Sequence, residues 1–320
     1  MDSYIINMSS LAFAILNVPV SGATILTNMF FVYCLFYPQT GPDNSLKPPL
    51  NVLLGSLIGC NLTLNVFNLL FVSFDSLYPK QWMYTIASAV IMYATRTSFT
   101  TSLGLNIFYY FQIVPVRLPF LVWVKMHIKH FMYSTLFCDR IFFLFEFFLQ
   151  VMHPWKDAIS EVDLNSTCIQ VNIIKGNIDV QYYLSMAHFW IRCGYFFLCL
   201  VIMLASSSAT ALYLWSHMKN MEGNSSPFSA LHQQRQMRVT IMGIIKMVLF
   251  FLSSMWLMTE DLMIFYFGIC FDQKNHAGGC VVALYSLGIT IILGVGQSTF
   301  RLRVIDIGKK LLETLKFLTD

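Results

Sequence analysis

Long apolar runs set the first limit on what this chain can fold into. A helix needs about 20 consecutive apolar residues to cross the hydrocarbon of a bilayer, and windows of that kind, bounded by charges or by Pro and Gly clusters, recur along the 320 residues. They predict an all-α membrane protein, a seven-transmembrane helix bundle, with spans at about 11–36, 49–73, 83–111, 128–151, 182–215, 238–267 and 277–296. Hydrophobic residues make up 57% of the chain and charged ones 11%, against roughly 25% charged in a soluble domain; the mean hydropathy is +0.63. A soluble fold is thereby excluded, and the lipid bilayer is an expected partner. A formal net charge of only +4 gives no general pull toward polyanions, so no nucleic acid is expected. The first apolar run lacks a preceding basic region and is too long for a signal peptide, so it is expected to remain in the mature protein.

Orientation follows from the basic residues of the loops. One alternating set holds Lys47, Arg117, Lys125, Lys129, Lys219, Arg235, Arg238, Arg301, Arg303, Lys309, Lys310 and Lys316, which is 12, while the opposite set holds the four residues Lys80, Lys156, Lys175 and Lys274. The positive-inside rule then puts the C-terminus in the cytoplasm and the N-terminus outside. Asn165-Ser166-Thr167 is a glycosylation triplet in a loop assigned outside, which agrees with that sidedness, and Asn7-Met8-Ser9 is a second close to the bilayer. The triplets at Asn61 and Asn224 fall in a helix and a cytoplasmic loop, where they should be silent. Residues 1–298 thus form the expected receptor-like bundle, and 299–320 an amphipathic tail: Leu302, Ile305, Leu312 and Leu315 share one side, with Arg303, Lys309, Lys310 and Lys316 largely elsewhere. Such a helix suits the anionic inner leaflet.

Eight cysteines show no metal-ligand spacing, and five of them lie within apolar runs. Cys168, Cys270 and Cys280 fall outside the cell in this topology, where Cys270 and Cys280 form a candidate disulfide pair. There is no phosphate-binding Gly loop, nucleophile elbow or His-Glu helix motif, so neither catalysis, a metal nor a cofactor is expected. The seventh window has no lysine for a retinal Schiff base. Lys246, the only intramembrane lysine, is read as snorkelling to the inner interface.

Arg96 is the sharpest single feature, because a guanidinium in mid-helix is costly unless it faces an internal cavity and has a partner. Thirteen residues separate it from Tyr109 at the inner end, about 20 Å of helix rise, which puts it in the outward half. Met92, Thr95 and Phe99 share or flank its face. Two readings stand together: Arg96 lines a ligand pocket, or it pairs with Glu260 or Asp261 at the outer end of the sixth span. His188 and Arg192, one turn apart on the fifth span with Trp190 beside them, form another wall of that pocket or anchor the helix at the interface. Asn61, Asn65 and Asn68 share one face of the second span and read as interhelical hydrogen-bonding groups. Asp139 and Glu146 on the fourth span require partners on neighbouring helices.

Two stretches resemble the bitter taste (type 2) receptor family. Phe108-Tyr109-Tyr110-Phe111-Gln112-Ile113, then Pro119 through Trp123-Val124-Lys125, resembles FYxxKI followed by P-x-FLWLK at the same spacing, with Gln112 in place of the lysine. His217-Met218 with Met221, then Ser225-Ser226-Pro227, Ser229 and Ala230-Leu231-His232, resembles H-x-x-x-M followed by DPS-x-x-AH. Asn165, Asn28 and Tyr285-Ser286-Leu287 fit more weakly. Where the mammalian pattern has arginine in the second span and tryptophan in the third, this chain has Asn61 and Thr101, which resembles a divergent, fish-type member.

The resemblance implies a G-protein-coupled receptor in the plasma membrane that binds small bitter compounds from outside and activates a gustducin-like heterotrimeric G protein. Met92, Thr95, Arg96, Phe99, His188, Arg192, Glu260 and Asp261 are the expected ligand-binding set, and Tyr109, Lys125, His217 and His232 the expected G-protein face. The DRY and NPxxY marks of rhodopsin-like receptors are absent from the third and seventh spans. A vomeronasal type 1-like receptor is the nearest alternative; a solute transporter using Arg96, Asp139 and Glu146 is the other.

Overall fold

The computed structural model describes residues 8–37, 49–77, 81–160, 170–221, 227–267, 272 and 275–319. Among them nine helices follow one another: α1 (Ser10–Phe36), α2 (Leu50–Leu77), α3 (Gln81–Ile113), α4 (Pro119–Met126), α5 (Ile128–Ser160), α6 (Gln170–Met221), α7 (Pro227–Phe267), α8 (His276–Gly296) and α9 (Ser298–Thr319). By length and composition, five stretches among the described residues can cross a membrane: Ser10–Phe36, Leu50–Asp75, Phe189–Lys219, Gln236–Met263 and His276–Gly296. The chain is a multi-pass membrane protein. Helices α3 and α5 are less apolar because they carry the bundle's internal polar groups. Thr95, Arg96, Thr97, Ser98, Thr100, Thr101, Ser102 and Asn106 of α3 and Glu146 of α5 are all buried, while α5 turns Phe137, Ile141, Phe145 and Phe148 outward.

Helix α3 is the hub, packed against α2, α5, α6 and α7, and the bundle closes through α6 on α7, α7 on α8, and α8 on α1 and α2. Phe99 sits at its centre, edge-on to Phe196 of α6 (5.9 Å), Phe250 of α7 (4.9 Å) and Tyr285 of α8 (4.7 Å). Each such aromatic contact adds about 1 kcal/mol beyond the area it buries, so four helices share one aromatic junction.

Apolar surroundings cannot hydrate polar side chains, and the interhelical hydrogen bonds show where those go. Asn68 donates to Asn17 Oδ1 (2.8 Å), Asn65 to Ser286 Oγ (2.7 Å) and Asn28 to Thr290 Oγ1 (3.0 Å), while Ser98 donates to Asn61 Oδ1 (3.2 Å). The structural role expected for Asn61, Asn65 and Asn68 is therefore met. Asn106 joins α3 to α6 through Ser206 (3.0 Å) and Ser207 (2.8 Å). Arg140 of α5 donates to Cys60 Sγ at 3.2 Å, to Ser56, and to Thr101 Oγ1 at 3.3 Å. A guanidinium thus reaches from α5 to the residue where the family resemblance expects a tryptophan.

Three expectations are corrected. Helices α5 and α6 extend past the expected ends near 151 and 182, into what reads as a polar loop. Lys246 does not snorkel: its side chain is buried, with Nζ 5.6 Å from the centre of the Tyr109 ring, because α7 packs it against α3. Cys280 is a free thiol that accepts from Asn17 Nδ2 at 3.0 Å and faces Met8 Sδ at 4.0 Å; α8 turns it toward α1. Cys168, Cys270, Asn165, Asn7 and the triplet starting at Asn224 lie outside the described residues.

The start of α8 is fixed by a device the sequence did not suggest. Asp272 Oδ2 accepts from the backbone N–H of Ala277 (2.6 Å) and Gly278 (3.1 Å), which caps the helix and meets its positive end. Asn275 adopts φ 54°, a left-handed conformation that asparagine tolerates better than most residues. His276 stacks on Phe13 at 4.4 Å and places Nε2 3.4 Å from Asp75, joining the beginning of α8 to α1 and α2.

Candidate ligand-binding cavity

Four helices leave a cavity of about 190 Å³ between them. Helical spacing explains which residues face it, since positions three or four apart share a face. Helix α2 contributes Asn68 and Phe71, α3 contributes Ser88, Ile91 and Met92, and α7 contributes Leu257, Glu260 and Asp261. Asn275 and, from α8, Gly278, Gly279 and Val282 complete the described lining. The glycines permit the close approach: a Cβ on Gly279 would stand 3.0 Å from the Phe13 ring, and one on Gly278 3.5 Å from Glu260 Oε2.

Beside the cavity, a chain of ion pairs crosses the bundle. Arg96 of α3 pairs with Glu146 of α5, and both side chains are almost fully buried. Arg192 of α6 places Nε 3.7 Å from the same Glu146 oxygen and Nη1 3.1 Å from Asp261 Oδ2 on α7. Two guanidinium groups and two carboxylates thus join α3, α5, α6 and α7 with no net charge. Asp139 of α5 accepts separately from Tyr195 Oη of α6 at 3.1 Å.

This geometry divides the expected ligand-binding set. Met92, Glu260 and Asp261 line the cavity. Arg96 does face the bundle interior, but its partner is Glu146 rather than Glu260 or Asp261, because α5 packs along that face of α3 and Arg192 engages Asp261. Thr95 donates to the Ile91 carbonyl at 2.7 Å and is wholly buried. Phe99 occupies the aromatic junction, and Arg192 lies in the ion-pair chain next to the cavity. The side chain of His188 lies outside the described residues. Asn68, Phe71 and the α8 glycines were missed. Asn68 read as purely structural, and no charge or motif marks Phe71 or the glycines.

At the opposite end, Gln297 after α8 donates to Tyr109 Oη, Phe300 stacks on Phe31 at 4.3 Å, and Arg303 reaches the Tyr37 carbonyl. Lys125 is exposed in the last turn of α4, and His217 is exposed near the end of α6. Tyr109 is largely enclosed between α3, α7 and the end of α8. His232 falls in α7, with its side chain outside the described residues.

A family model, taste receptor protein (TAS2R), matches residues 8–310, nearly the whole chain. The chain belongs to the taste receptor protein (TAS2R) family. No individual curated protein matches it. Membership covers all four cavity-forming helices and the FYxxKI-like and H-x-x-x-M-like stretches. For a taste receptor, a small-molecule ligand and a G protein are the general partners, and the family is one of receptors rather than enzymes.

Proposed function

We propose that this taste receptor detects bitter small molecules that enter from outside the cell, and that it activates a gustducin-like heterotrimeric G protein. The observation that carries the reading is the cavity between α2, α3, α7 and α8 within a chain that belongs to the taste receptor family. In this reading α1, α2, α3, α5, α6, α7 and α8 are the seven spans of a receptor in the plasma membrane. The 12 to four imbalance of loop Lys and Arg supports an outer N-terminus and an inner C-terminus. Burial of the polar groups on α3 and α5 supports counting those two among the spans.

A ligand acts by binding one arrangement of the bundle better than another and so shifting its population. The ion-pair chain from Arg96 to Asp261 links four of the helices whose relative positions would change, and Asp261 also lines the cavity. At the inner end, Tyr109, Lys125, His217 and His232 form the proposed G-protein face. Asn165 is the proposed glycosylation site. Residues 299–320 lie on the inner leaflet, where the exposed Leu302, Val304, Ile305, Ile307 and Leu312 would meet lipid.

The test is intracellular calcium in cells that express the chain with a promiscuous gustducin-type G protein and are challenged with a broad panel of bitter compounds. Saturable, dose-dependent responses are expected from at least one compound, and none from cells that lack the chain. Silence across the panel, with the protein confirmed at the cell surface, would overturn the proposal.

A further inference from the structure

We infer that the cavity selects organic cations, with Glu260 as the carboxylate that receives a protonated amine. This deepens the receptor reading above and rests on it. The described lining contains two carboxylates, Glu260 and Asp261, and no lysine, arginine or histidine. Asp261 is engaged by Arg192 at 3.1 Å, and the four-residue ion-pair chain to which it belongs is neutral. Glu260 has neither an ion pair nor a hydrogen bond among the described residues. Among the described residues, Arg96 and Arg192 are committed to the ion-pair chain and His276 to Asp75.

A second acceptor lines the same cavity from α2. Asn68 is wholly buried and its Oδ1 has no hydrogen-bond partner. Its amide orientation is set by its neighbours. Nδ2 faces Asn17 Oδ1 at 2.8 Å and the Gly279 carbonyl at 3.4 Å, and both of these can only accept. The oxygen lies beside Gly279, where an added Cβ would come within 3.3 Å of it. Apart from Ser88, Asp261 and Asn275 the rest of the described lining is apolar, with Phe71, Met92 and Leu257 among its members, and Phe71 is held edge-on by Phe13 at 6.0 Å and Tyr84 at 5.6 Å. Two acceptors without a partner among the described residues, one of them a carboxylate, and a fixed aromatic ring suit an ammonium group on a compact apolar body. An anion would meet the Glu260 carboxylate and no basic side chain in the described lining.

The experiment uses the purified full chain in lipid nanodiscs and three probes of one skeleton: 3-phenylpropylamine, 3-phenyl-1-propanol and 3-phenylpropionate. The amine is expected to bind at least about tenfold more tightly than the alcohol, as one charge-assisted hydrogen bond would give, with the propionate weakest. Glu260→Gln should erase the preference for the amine and leave the alcohol within about twofold, while Glu313→Gln on the exposed tail helix should change neither. Ser88→Lys, which places a cation on the wall, should reverse the order in favour of the propionate. Equal binding of amine and alcohol, or an amine preference that survives Glu260→Gln, overturns the inference, as does an unchanged order in Ser88→Lys. Because binding is read without a G protein, the two readings fail separately. Calcium responses with no amine preference sink the cation inference alone, and an amine preference with no calcium response to any compound sinks the receptor reading alone.

Discussion

Removing one member of the Arg96–Glu146 pair is expected to cost about 3–5 kcal/mol, because the partner loses its nearest counter-ion inside the bundle. Arg96→Met and Glu146→Leu should each lower the melting temperature of the purified protein sharply and reduce the amount at the cell surface. The double variant removes both charges and should recover most of the loss, since a buried ion pair and well-packed apolar residues of similar size are often close in energy. Thermal unfolding of the two single variants and the double variant, read as a double-mutant cycle, measures the coupling directly. Glu146 also lies near Arg192, so Glu146→Leu should be the worse of the singles: it strands Arg96 and takes one of two carboxylates from Arg192, whereas Arg96→Met leaves Glu146 with one guanidinium group. Additive losses in the double variant would mean that the two side chains do not act as a pair.

The second large effect has the opposite sign. Lys246 is buried in α7 with no carboxylate within ion-pair distance among the described residues, and its ammonium lies 5.6 Å from the centre of the Tyr109 ring. A cation–π contact returns about 2 kcal/mol when desolvated, less than the several kcal/mol needed to bury a charge without a counter-ion. Lys246→Met keeps the length of the side chain and removes the charge. It is expected to stabilise the protein by about 2 kcal/mol, or roughly 5 °C in melting temperature for a chain of this size. A lower melting temperature would show that the ammonium has a partner strong enough to hold it there. The two predictions differ in sign for one reason: Arg96 is matched by a carboxylate and Lys246 is not.

Much of the bundle was legible because apolar length is a direct reading of bilayer thickness. The starts of α1 and α8 and the ends of α1 and α7 fall within a residue of the expected positions. The end of α5 and the beginning of α6 were read as loop because residues 153–180 are polar, and helical hydrogen bonding there needs no apolar periodicity. The short α4 was missed for the converse reason: eight residues give little periodicity, and only Pro119 at its first turn marks a start.

The candidate site was harder to read because partners come from elsewhere in the chain. Sequence showed that Arg96 needed a counter-ion and that Glu146 needed a cation, but nothing in their spacing joins a residue of α3 to one of α5. Helix packing made that choice, and with Arg192 on Asp261 it left Glu260 as the spare carboxylate. The wall from α2 and α8 stayed hidden because Phe71 and Val282 look like any lipid-facing or core residue, and Gly278 and Gly279 matter through the side chains they lack.

The central claim is that a ligand acts in the cavity between α2, α3, α7 and α8, and filling that cavity tests it most directly. Met92→Trp adds bulk from α3 into the space while leaving the ion-pair chain and the aromatic junction untouched. With an agonist identified on the wild-type protein, and at equal surface expression, the variant is predicted to lose at least about tenfold in potency in the calcium assay. A dose–response curve that overlays the wild type would contradict the account and place the ligand elsewhere on the receptor.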